Sequence, residues 1–172
     1  RHIGLSVGRE QQEERPAEEL RHAYDQVLSE ADRALKLDPE CTMALLSKGY
    51  AQLFRTEIGL GNSEKDLQEA MEHADRVIQI DDRTSEAYRL KSLIHGFRAQ
   101  RAALKGEDAR PHLQAWAKSS RQAFEMWPGV AEQAHNASLA LLQLAFSDAQ
   151  VGESALALTH LREACRIAEG DS

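Results

Sequence analysis

Residues Ala31–Pro39 read ADRALKLDP, and residues Ala74–Asp82 read ADRVIQIDD, the same pattern with conservative exchanges 43 residues later. Each copy holds small residues (Ala31 and Ala34; Ala74 and Val77), then aliphatics (Leu35 and Leu37; Ile78 and Ile80), then Asp-Pro or Asp-Asp. The last dipeptide stops a helix, because the residue before Pro is driven out of the α region and Asp competes for backbone groups. The signature returns as Ala123-Phe124-x-Met126 and Ala164-Cys165-x-Ile167, so successive spacings are 43, 46 and 41 residues. Between these points Gly49, Ser92 and Ser138 keep similar intervals. Self-similarity at this period is the mark of helical hairpins that bury their apolar stripes on one another.

Working outward, Leu20, Tyr24, Val27, Leu28, Ala31, Ala34 and Leu35 predict a helix from Pro16, placed in its first turn, to Leu37. Leu45, Leu46, Tyr50, Leu53 and Phe54 predict a second, from Glu40 to Ile58. GLGNS (Gly59–Ser63) turns the chain, with Ser63 as N-cap and Asp66 three residues on. A third helix then carries Leu67, Ala70, Met71, Ala74, Val77 and Ile78. The cycle repeats with helices over 85–104, up to Met126, up to Ala149, and on to Gly170, separated by KGEDARP (Lys105–Pro111), WPG (Trp127–Gly129) and VGES (Val151–Ser154). Projected back one period, the small-residue register reaches Ser6, so RHIGLSVG is expected inside a truncated first helix. The predicted architecture is one helical-repeat domain over 1–172: a partial repeat at 1–39 and full repeats at 40–82, 83–128 and 129–172.

Composition agrees. Hydrophobic residues make up 42% of the chain but aromatics only 5%, with four Pro and ten Gly, and no Val/Ile/Thr-rich alternating run predicts a strand. The net charge of −7 argues against a general nucleic-acid binder, which needs a basic surface to displace counterions. Cys41 and Cys165 are too far apart for metal-like spacing and suit a reducing, cytoplasmic setting. No apolar run approaches a membrane span. The chain opens on Arg1 rather than Met, and we expect it to be a piece of a longer protein.

These residues resemble the tetratricopeptide repeat (TPR). Its second helix ends in a small residue, an aliphatic and Pro, and its next helix opens with a small residue, a large apolar one and Gly. Here that reads Ala34, Leu35, Pro39, then Ala44, Leu45, Gly49; the next junction reads Val77, Ile78, Asp82, then Ala87, Tyr88, Ser92. The resemblance implies an all-α, TPR-like α-α hairpin solenoid that binds a peptide or partner surface in a concave groove lined by the first helices. The family period is about 34 residues, so the repeats here are lengthened, by about one extra turn per helix. Lys48 and Lys91 occupy a position the family fills with apolar residues; their stems are expected to snorkel across the interface. KGEDARPHL is also similar to helical-repeat segments attached to bacterial serine/threonine protein kinases. That likeness implies a regulatory or docking part of such a protein, for the sequence has no Gly-rich loop, His-Arg-Asp or Asp-Phe-Gly of its own.

The expected groove positions are Leu46, Tyr50, Leu53 and Phe54 in the second repeat, Arg89, Leu93, Phe97 and Arg101 in the third, and His135, Asn136 and Leu142 in the fourth. The Lys/Asn clamp that some family members use for a peptide's carboxylate is absent; Asn62 and Asn136 are the sole asparagines. Residues 83–121 carry a net +6 between segments of −8 and −5, which points either to an acidic ligand or to neutralisation by the flanking repeats or a second copy. A metal-dependent, di-iron-type helical bundle is the rival reading, from Glu19-x-x-His22 and Glu132-x-x-His135. Those motifs fall in the first and fourth repeats, which a solenoid separates, so no metal or other cofactor is expected. Cys165 aligns with Leu35 and Ile78 and is expected in the core; Cys41 has no catalytic partner by motif. The sequence therefore predicts no enzyme but a protein-interaction module, with a self-associating spacer as a further alternative.

Overall fold

The computed structural model describes residues 6–61 and 63–169, with side chains from residue 18 onward. Among them the chain forms seven helices and no strand: α1 (Ser6–Leu37), α2 (Thr42–Glu57), α3 (Ser63–Ile80), α4 (Ser85–Lys105), α5 (Arg110–Met126), α6 (Ala131–Gln150) and α7 (Ser154–Ala168). Two compact units divide it, Arg1–Ala70 and Met71–Ser172, with the boundary inside α3.

In the first unit α1 packs on α2. The 32-residue α1 runs through Pro16, where a helix start was expected. The Glu, Gln and Arg residues before Pro16 are strong helix formers, and one missing N–H is a local loss in a helix that long. The expected truncated helix therefore does not end before Pro16: residues 6–8 open α1, and residues 1–5 lie outside the described residues. Ala31, Ala44, Leu45, Leu46, Ala51, Leu53, Leu67 and Ala70 are buried. Ser63 is the first residue of α3, and the Asp66 carboxylate folds back over Gly61, where a Cβ would collide with it.

In the second unit α4 and α5 form one hairpin, α6 and α7 another, and α5 packs on α6. Gly106, at φ 71°, closes α4 in the left-handed conformation, and Pro111 sits in the first turn of α5, so KGEDARP turns as its residues predict. The core gathers Ala117 and Phe124 of α5, Ala137, Ala140, Leu141 and Leu144 of α6, and Ala164 and Ile167 of α7. Each fully buried Leu or Ile contributes about 2 kcal/mol, against well under 1 kcal/mol for a typical surface ion pair. Apolar contact therefore holds the hairpins together.

Helices α4 and α5, of 21 and 17 residues, together exceed an entire unit of about 34 residues. The lengthened period is thus built into the helices. Gly49, Ser92 and Ser138 are all buried, as close helix approach requires, and the Ser138 hydroxyl donates to the Ala164 carbonyl at 3.2 Å. Two expectations fail. Cys165 is exposed, because it lies on the face of α7 turned away from α6, where Leu158 and Leu161 are exposed too. Leu37, expected in the core with the other seam aliphatics, is the last residue of α1 and 89% exposed.

Candidate functional site

On α2, Leu46, Leu53, Tyr50 and Phe54 span about 100° of the helix surface. Leu53 is fully buried and Leu46 nearly so; the face turns outward through half-buried Tyr50 to Phe54, 36% exposed. Tyr50 and Phe54 are thus the accessible end of the stripe, and their rings stack with centroids 5.9 Å apart and planes at 19°. Leu46 and Leu53 are internal packing, since they lie on the flank of the stripe nearest the core.

On α4, Leu93, Phe97 and Arg101 follow one another at i, i+4 and i+8, all half-buried. The Arg101 guanidinium carbon stands 5.8 Å from the Phe97 ring centroid, a cation–π geometry that favours this pairing. Arg89 is drawn away from this strip. It pairs with Glu132 of α6 and, at 3.4 Å, with Glu86. On α6, His135 is exposed, Asn136 half-buried and Leu142 44% exposed.

The same ion pair engages the Glu of the Glu132-x-x-His135 motif, and among the described residues no three His, Cys, Asp or Glu side chains converge as metal ligands. At least four of the nine basic groups in residues 83–121, Arg89 among them, pair with acids elsewhere in the second unit. Arg110 binds Asp148 at 2.8 Å and Glu153 at 3.2 Å, Arg121 binds Glu163 at 2.7 Å, and Lys91 binds Asp75 at 2.6 Å. Hydrogen bonding to Glu153, opposed by burial and joined by Asp148, holds the Arg110 guanidinium above its ordinary pKa.

A feature the sequence reading missed is a cleft of about 330 Å³ between α3, α4 and α5, lined by Asp75, Tyr88, Lys91, His95, Lys118 and Ser119 among others. Its one sequence signal was Lys91, a cation where the repeat pattern calls for an apolar residue. A second, largely apolar groove of about 540 Å³ runs between α1 and α2, past Val27, Ala31, Ala34, Met43 and Ala44.

The hairpins define a class: an all-α, TPR-like helical-repeat protein. The crystal structure of MamA, itself TPR-like, matches with a TM-score of 0.50 at 15% sequence identity, over 89% of this chain and 93% of that one. No protein-family model and no curated protein matches the chain. No described helix is long and apolar enough to cross a membrane.

Proposed function

We propose that this chain is a non-catalytic protein-interaction module, its repeats bounded at 40–82, 83–128 and 129–172, that binds a peptide or protein surface through its first helices. The observation that carries this reading is the Leu93–Phe97–Arg101 strip on α4, an aromatic ring and a guanidinium held together and half-open to solvent. Aromatic and Arg side chains fixed in this way are typical binding hot spots, because little rotamer entropy is left to lose on association. Tyr50 and Phe54 present a second such pair on α2. The TPR-like fold and its likeness to MamA support a scaffold role. The similarity of the Lys105–Leu113 turn to kinase-attached repeats supports a docking part of a larger signalling protein, and two unpaired cysteines support a cytoplasmic setting.

The test is affinity capture from the source cells with the wild-type chain and with a Phe97→Ala/Arg101→Glu variant. Partners retained by the wild type and lost from an equally folded variant are the expected result. Identical captures by both, or nothing above an unrelated helical control, would overturn the reading. A concentration-dependent oligomer in light scattering, with no other partner, would favour the self-association alternative.

A further inference from the structure

We infer that the cleft between α3, α4 and α5 is a pocket for a single anionic group of a partner protein, a carboxylate or a phosphate, held by Lys118 and Lys91 with Tyr88 and Ser119 as neutral donors. This deepens the interaction reading, since the anionic group is carried by a partner, but it concerns another surface. Tyr88, Lys91 and His95 stand at i, i+3 and i+7 on α4, within about 60° of one another, whereas Leu93, Phe97 and Arg101 lie on the roughly opposite face at 100° per residue.

Three observations point to an anion. First, the lining residues include two lysines and one carboxylate, Asp75. The Lys118 side chain is exposed and has no ion pair among the described residues. Second, Asp75 already shows how the site holds an acid: its Oδ1 lies 2.6 Å from Lys91 Nζ, yet its side chain is 48% exposed. Such a hydrated pair is worth little, so an incoming anion can share Lys91 or take it over. Third, His95 Nδ1 is buried without a hydrogen-bond partner. Burial foremost, then Arg98, Lys91 and His112, lower the His95 pKa to about 4 against the opposing pull of Asp75. Beyond burial, Lys91 and Arg98 of α4 are the cations that bear on the ring, His112 of α5 stacks beside it, and Asp75 of α3 is the opposing acid. The cleft is wide enough for one side-chain acid and its water, and far smaller than a groove for a helix.

The experiment uses the isolated chain and small probes, so that it can fail or succeed independently of any captured partner. Inorganic phosphate, a phosphoserine tripeptide and a capped tetraglutamate are titrated into the labelled protein and followed by amide and His95 ring resonances. We expect saturable shifts in segments 88–95 and 118–122 with at least one probe, and a rise of the His95 pKa from about 4 towards its usual range as the anion binds. Shifts with phosphate probes alone assign a phosphorylated partner; shifts with tetraglutamate assign an acidic one. Lys118→Glu, on an exposed side chain that the fold does not need, should weaken binding by about tenfold or more, the loss of a charge-assisted contact. Asp75→Asn should tighten it several-fold, because the external anion inherits Lys91. The inference is overturned by no saturable shift with any probe at ~20 mM, an affinity well below useful recognition, by equal binding to Lys118→Glu, or by no gain in Asp75→Asn.

Discussion

Asp148, at the C-terminal end of α6 and fully buried, accepts a 2.8 Å hydrogen bond from Arg110 Nη2 of α5. Its other oxygen lies 2.8 Å from His160 Nδ1 of α7, so one carboxylate ties three helices. A buried acid is tolerable only with both oxygens engaged. We expect Asp148→Ala to cost about 2 kcal/mol, since it leaves the His160 imidazole without its acceptor while Arg110 keeps Glu153. Urea unfolding measures this. The paired replacement Arg110→Met/Asp148→Leu should lose much less than Asp148→Ala alone; an equal or larger loss would show that the network stabilises beyond its packing.

The Lys–Asp contacts repeat with the period of the chain. Lys48 Nζ is 2.7 Å from Asp32, and Lys91 Nζ is 2.6 Å from Asp75, 43 residues on. The lysine side chains are 23% and 24% exposed and the aspartates about half, so these are solvated pairs with packed stems. Double-mutant cycles should give about 0.5 kcal/mol for each, fading in ~1 M salt. Lys48→Met restores the apolar residue usual in TPR-like helices and should leave stability within about 0.5 kcal/mol of wild type. A loss several times larger would mean that the pair sets the α1–α2 register.

Those two pairs also mark how far the sequence could be read. The alanines of ADRALKLDP and ADRVIQIDD were legible as seam residues, because only a small side chain suits a position crowded by two helices: Ala31 and Ala74 are buried. The Asp in each copy was not, for its partner lies sixteen residues on, in the next helix. Leu46 and Leu53 were expected in the groove because periodicity places a stripe on a helix without saying which edge meets the core. Cys165 was misplaced for a related reason: the repeat register assigns it a core position, but no described helix packs on that face of α7. The α3–α4–α5 cleft draws residues more than forty positions apart into one site, and only Lys91 broke the pattern enough to hint at it.

Gly96 of α4 faces Trp116 of α5, and a Cβ there would lie 3.1 Å from the indole. One repeat earlier the equivalent positions hold Leu53 and Ala70, both fully buried, so bulk and smallness have changed sides of the hairpin. Gly96→Leu should cost about 2–3 kcal/mol by overpacking, even though Leu favours helix over Gly by nearly 1 kcal/mol. Adding Trp116→Ala, which recreates the Leu–Ala arrangement, should recover a good part of that loss. Thermal unfolding of the two variants settles the matter: if the double variant is no more stable than Gly96→Leu, the two side chains are not exchanging volume across the hairpin.

His95 predicts a pH dependence. Burial, Arg98, Lys91 and His112 lower its folded pKa to about 4, while Asp75 opposes them; the unfolded chain titrates near 6.5. Between these values the unfolded state binds a proton that the folded state refuses. Stability therefore falls as pH drops through 6.5 towards 4, and this contribution levels off once both states are protonated. Because the ring is only partly buried, solvent screening keeps the effect modest. Unfolding midpoints of wild type and His95→Gln, measured from pH 7 to pH 4.5, should draw together or cross as pH falls, since Gln carries no such penalty. A constant gap over that range would place the folded pKa of His95 near its ordinary value.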